Sequence, residues 1–217
     1  MDRKEIKEEA KAKIKGNIWN ILWPLLVIGV LTSILSSLFG GSININVNNI
    51  KEITEYTTSP KSTIGSSVVA IISAMLSAGY IKYLLTFVRK GKFDSNEIIN
   101  TIKERWLHIL IAVVLVYVIV FACTLLFIIP GIIMGLAYTF VIYLVIDTDV
   151  AGNDALKESR EMMKGYKWDY FVFELSFIGW IILGIFTLGI LYIWLVPYMN
   201  VASVLYYEKL KKIRKES

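Results

Sequence analysis

The chain carries one cysteine, Cys123, and one histidine, His108. A single thiol excludes an intramolecular disulfide and leaves the redox compartment unread. No HExxH, Walker loop, GxSxG or glycine-rich nucleotide fingerprint occurs. Cys123 has no base within its own apolar run, and His108 sits beside Trp106, where an interfacial role is the simpler reading. Charge is also scarce. Asp, Glu, Lys and Arg make up 19% of residues, and they are bunched rather than spread. Asp147 and Asp149, with Asp154 nearby, are a weak divalent-metal signal, because hard cations demand more oxygens than three carboxylates secure; capping the next helix is the simpler role. The pattern points to no enzyme, no cofactor and no metal site.

What is present is apolar. Hydrophobic residues reach 56% and mean hydropathy is +0.60, above the usual share for a soluble domain. The apolar runs are about 17–25 residues long, enough to cross a hydrocarbon core as helix. The spacing predicts an all-α polytopic membrane protein with six transmembrane helices, at about 17–39, 64–88, 107–129, 131–147, 170–188 and 190–207. An amphipathic cytoplasmic segment, 1–16, precedes this membrane domain, 17–207, and a basic tail, 208–217, follows it. "IIPGII" places Pro130 and Gly131 between spans 3 and 4, and "FTLGI" places Thr187 and Gly189 between spans 5 and 6; both are helix-breaking chemistry. Span 1 is longer than a signal-peptide core and is preceded by Asp2, Glu5, Glu8 and Glu9, so it reads as a retained span.

Orientation follows from the basic residues. Of 23 Lys and Arg, all but Lys51 and Lys61 fall in 1–16, 89–105, 148–168 and 208–217 or at Lys82. With six spans these segments share one side, which the positive-inside rule makes cytoplasmic. The net charge of +5 then suits anionic headgroups on that side rather than nucleic acid. A membrane-protein partner or a second copy of the chain is the other class of partner that such a surface admits.

Three membrane approaches look alike: "KGNIW", "KERW" and "KGYKW". Each follows a segment with helical apolar spacing, such as Ile6, Ala10 and Ile14. The expected unit is a surface helix, a joint, a basic residue at the headgroups and an indole at the interface, with Trp19, Trp106 and Trp168 as anchors. The three hairpins so formed are either an internal repeat or the shared demand of any hairpin entering from the basic side. The stretch "ALKESREMMKGYKWDYFVFELSFIGWIILGIFTLGILYIWLVPYMNVASVLYYEKL", with "EIKEEAKAKIKGNIW", "IIPGII" and "VIYLVID", resembles a bacterial integral-membrane family labelled domain of unknown function 975. The resemblance covers most of the chain except residues 40–62. It implies a six-helix protein of the bacterial plasma (inner) membrane and brings no activity with it.

Few residues are candidates for work. Glu174 and Lys82 are intramembrane polar groups at matching depth, roughly 9–10 Å from the cytoplasmic end of their spans. They either pair across a cytoplasm-facing cavity or reach the interface separately. Ala70, Ala74 and Ala78 in span 2, and Gly131 and Gly135 in span 4, are small-residue stripes suited to close helix packing. Ile43, Ile45 and Val47 alternate with asparagines in the outer loop, a strand-like pattern. The function expected is a non-enzymatic accessory or envelope-stress membrane protein acting through lipid or protein partners. The alternative is a small transporter or permease-like subunit with a polar cavity near Glu174.

Overall fold

The computed structural model describes residues 2–39, 60–148, 150 and 152–216. The alternating segment Ile43–Val47 and Asp149 lie outside the described residues. Among the described residues ten helices follow one another: α1 (Arg3–Ile14), α2 (Ile18–Phe39), α3 (Pro60–Lys90), α4 (Asn96–Leu126), α5 (Ile128–Ala137), α6 (Val141–Asp147), α7 (Gly152–Met162), α8 (Lys167–Leu175), α9 (Ile178–Phe186) and α10 (Tyr192–Glu216). No strand occurs among the described residues. Five stretches are long and apolar enough to cross a membrane: Ile18–Phe39, Gly65–Lys90, Asn96–Leu125, Ile128–Asp147 and Lys167–Phe186. Large apolar side chains stand exposed along α2, α4, α5 and α9, as a lipid-facing surface requires.

The sixth expected span, 190–207, is not among those five. All but its first two residues lie within α10, whose tyrosines, Pro197 and Asn200 lower its hydropathy and which runs on through the basic segment to Glu216. Instead α10 is the helix that the others surround. Leu195, Tyr198, Val201, Ala202, Leu205, Tyr206, Tyr207 and Leu210 are all buried. A helix facing protein need not be as apolar as one facing lipid, because its polar atoms find partners inside. The basic segment from 208 continues the same helix unbroken to Glu216.

The surface helices behave differently from expectation. Asp2 caps α1 by accepting from the Lys4 and Glu5 backbone N–H groups at 2.9 and 3.3 Å, and those bonds hold its carboxyl below the usual range. The stripe of Ile6, Ala10 and Ile14 does form, but it is 0–1% exposed and packs against α10 rather than on a bilayer. Burying each isoleucine is worth about 1.5–3 kcal/mol, so protein contact takes the apolar face that lipid was expected to take. α7 is likewise seated on α4 and α6 through Ala155, Leu156, Ser159 and Met162; the Ser159 hydroxyl donates to the Ala137 carbonyl at 2.9 Å. The second unit has no joint at all, since α4 runs unbroken from Asn96 through Trp106.

Breaks fall where backbone chemistry directs. Gly16 and Gly165 share φ +83°, and each stands three residues before its tryptophan. The "KERW" approach has no glycine and stays helical. The α4–α5 break is at Phe127, in extended conformation, not at Pro130. Pro130 falls in the first turn of α5, where its missing N–H would lack a helical partner anyway. Thr187–Gly189 is a turn as expected, with positive φ at Leu188 and Gly189. Two further interruptions, at 138–140 and 176–177, were not foreseen. In both the backbone bonds shorten to i−3, Val141 N–H to Tyr138 and Phe177 N–H to Glu174, the tighter turn that marks a bend inside a helix.

Because a side chain at φ +83° sits in the left-handed region, Gly16→Ala and Gly165→Ala should each destabilise by about 1–2 kcal/mol. Gly179→Ala, helical and with open space around its Cβ, should not. Thermal melts in detergent check this; equal melting temperatures for all three would refute the joint assignment.

Candidate functional site

One end of the bundle gathers the charges. The last turn of α3 presents Arg89, the end of α6 presents Asp147, and one face of α10 presents Tyr207, Glu208 and Lys211. The Arg89 guanidinium grips Asp147 with both terminal nitrogens, Nη2 at 2.7 Å from Oδ2. Its Nε and Nη2 donate to Glu208 Oε1 at 2.9 and 2.6 Å. Lys211 also pairs with Asp147, and the Tyr207 hydroxyl donates to Oδ2 at 3.0 Å. The Asp147 side chain is only 2% exposed. A carboxylate so placed is costly unless its lone pairs are filled, and here four donors fill them.

Neighbouring contacts brace the same end. Lys209 of α10 lies 2.8 Å from Glu5 and 3.5 Å from Glu9 of α1. Arg3 is 3.4 Å from Asp169 of α8, which also accepts from the Tyr206 hydroxyl at 2.8 Å. Lys13 donates to the Val88 carbonyl at 3.2 Å. Arg105 reaches the Val145 carbonyl at 2.8 Å and that of Thr148, and Arg214 reaches Met162 at 3.3 Å and Lys164. Exposed ion pairs contribute about 0–1 kcal/mol, so the buried stripe holds α1 in place and the ion pairs set its register. Between α1, α3, α6 and α10 a cleft of about 620 Å³ opens. Its walls carry ammonium, guanidinium and carboxylate groups with Val88 and Leu205.

The residues singled out from sequence are not brought together. Lys82 donates to the Ile146 carbonyl at 3.3 Å and forms no ion pair with Glu174 among the described residues. Glu174 is half-buried, with the Tyr170 hydroxyl and Tyr143 beside it. Of the two arrangements, no direct pair forms among the described residues, and the ammonium is instead held by a carbonyl at the end of α6. Trp19, Trp106 and Trp168 are 70%, 51% and 73% exposed. Of the small-residue stripes, Ala78 is buried, Ala74 half-buried and Ala70 exposed. A Cβ on Gly131 would stand 2.2 Å from Thr124 Oγ1, whereas Gly135 meets nothing within 4 Å. The tight crossing of α3 on α4 is instead at Gly79, against Ile98. Asp154 pairs with exposed Lys157 at 3.8 Å, and no metal-holding group of three His, Cys, Asp or Glu occurs among the described residues. His108 is exposed and Cys123 half-buried.

Sequence reading missed the Arg89–Asp147–Lys211–Glu208 assembly. Its only signal was an acid closing an apolar run, Asp147, opposite a run closed by arginine. The partners lie 58 and 64 residues away, beyond any local pattern.

The chain belongs to the family described as protein of unknown function (DUF975), which matches residues 1–134 and 113–214. No curated protein and no solved structure matches it.

Since Lys82 and Glu174 have separate partners, their effects should be independent. In thermal unfolding, Lys82→Met and Glu174→Gln should add to within about 0.5 kcal/mol in the double variant. A double variant clearly more stable than that sum would restore the direct pair.

Proposed function

We propose that the chain is a non-enzymatic multi-pass protein of the bacterial plasma membrane, an accessory or envelope-stress component acting through lipid or protein partners at its charged end. In this reading six helical passes form three hairpins, α2 with α3, α4 with α5–α6, and α8–α9 with α10, and both termini are cytoplasmic. The observation that supports it most is the closed end itself. The ion pair of Lys209 with Glu5 brings the two termini to the same end of the bundle. Arg105 on the Val145 carbonyl and Tyr206 on Asp169 do the same for the starts and ends of the second and third hairpins. An even number of passes is the arrangement these contacts suit, with α10 as the pass that composition alone hides. A braced, cation-rich surface flanked by exposed indoles suits docking to anionic headgroups or to a partner.

One observation favours the second reading, a small transporter or permease-like subunit. The bend at 176–177 directly follows Glu174, and the bend at 138–140 precedes Tyr143, which stands beside Glu174; interrupted helices are how transporters build polar sites at depth. The accessory reading needs fewer polar groups in the apolar region than transport usually employs, and it is preferred on that ground.

Topology is checked in intact cells on a Cys123→Ser background with an impermeant maleimide. A cysteine at Asn48 should label, and cysteines at Lys92, Lys157 and Lys212 should label only after permeabilisation. Labelling of any of the last three from outside would overturn the threading.

A further inference from the structure

We propose that the cleft between α1, α3, α6 and α10 is a binding site for a phosphate ester, presented either as a membrane phospholipid headgroup or as a free soluble phosphate. This deepens the reading above by naming the chemical class that its charged end would take. The walls that matter are Val88, Arg89, Glu208, Lys211, Lys212 and Lys215, with Leu205 beneath. Residues 208, 211, 212 and 215 follow helical spacing, so α10 offers them on one face.

The charge balance decides the sign of the ligand. Asp147 is enclosed and its lone pairs are taken by Arg89, Lys211 and Tyr207. Glu208 accepts twice from Arg89. Glu9 faces Lys209. Each carboxylate on the cleft thus has its cation already, whereas Lys212 and Lys215 pair with no carboxylate among the described residues. Both are exposed at the rim. Two ammonium groups one helical turn apart, backed by a guanidinium that is still 35% exposed, make an anion site rather than a cation site. Val88 and Leu205 add an apolar wall that suits the glycerol end of a lipid. Basic pockets at the ends of membrane helices take phosphorylated headgroups by this chemistry.

The test uses the full chain purified in a neutral detergent. Three probes are titrated by calorimetry: short-chain phosphatidic acid, glycerol phosphate, and short-chain phosphatidylcholine as the zwitterionic control. The variant is Lys212→Gln/Lys215→Gln, which removes exposed, unpaired groups and should leave melting without ligand unchanged. A control pair, Lys103→Gln/Lys157→Gln, removes the same charge elsewhere. We expect the wild type and the control pair to bind phosphatidic acid alike and the cleft variant to bind it roughly 30-fold more weakly, from about a fivefold effect per surface lysine. Binding of phosphatidic acid but not glycerol phosphate assigns the site to a lipid headgroup; comparable binding of both assigns it to phosphate itself. Equal binding of phosphatidylcholine, an equal loss in the control pair, or no binding of either phosphate monoester would overturn the proposal. Binding in detergent does not depend on which side the charged end faces, so this result and the topology result fail separately.

Discussion

Asp147 is the constraint on which the charged end depends. Its carboxylate is shut away from solvent, and an isolated buried carboxylate would lose several kcal/mol of hydration. Arg89, Lys211 and Tyr207 offset that loss, and to do so the ends of α3 and α6 and the flank of α10 must all be in place. α6 is only seven residues long, too short to hold as an independent helix. It is fixed by its packing on α3, α4 and α7 and by the charge at its last residue. With α10 anchored there, its basic continuation stays helical and presents the surface on which α1 lies.

Tyrosine hydroxyls make comparable ties farther along the bundle. Tyr80 and Tyr83 of α3 donate to the Ile21 and Asn20 carbonyls of α2 at 3.0 and 2.8 Å. Tyr192 of α10 donates to the Ile181 carbonyl of α9 at 2.8 Å. Tyrosine suits this work because its ring packs as an apolar body while its hydroxyl needs one partner. Phe140, Tyr170, Phe173, Tyr206 and Tyr207 meet ring to ring around α10, with centroids 4.9–6.1 Å apart. Helix α10 is thus held by aromatic contact and specific hydrogen bonds rather than by overall hydropathy. Its tyrosines, Pro197 and Asn200 leave it less apolar than the five stretches long and apolar enough to cross a membrane.

Legibility followed the range of the physics. Local signals read well. The Ile6–Ala10–Ile14 stripe is buried, the two glycine joints have positive φ, and the three tryptophans face outward. What local signals could not name was the partner. The stripe of α1 meets α10 instead of lipid because a nearby apolar helix face competes with the bilayer and adds ion pairs of its own. Pro130 marked the right region and the wrong residue, since proline is tolerated in a first turn as readily as between helices. Lys82 and Glu174 were matched by their distance along their spans, and that distance alone says nothing about which side of a helix a residue occupies. The Asp147 assembly was illegible because every one of its contacts is long-range.

The most direct test of this account is a double-mutant cycle across Arg89 and Asp147, read as unfolding free energy in detergent. Removing one member of a fully buried ion pair costs roughly 3–5 kcal/mol. Asp147→Asn or Arg89→Met should cost somewhat less, because Arg89 keeps Glu208 and is partly exposed. The double variant should recover part of the summed loss, a coupling on the order of 1 kcal/mol or more. If Asp147→Asn is neutral, or the two changes simply add, the charged end is not built on this carboxylate and the account is wrong at its centre.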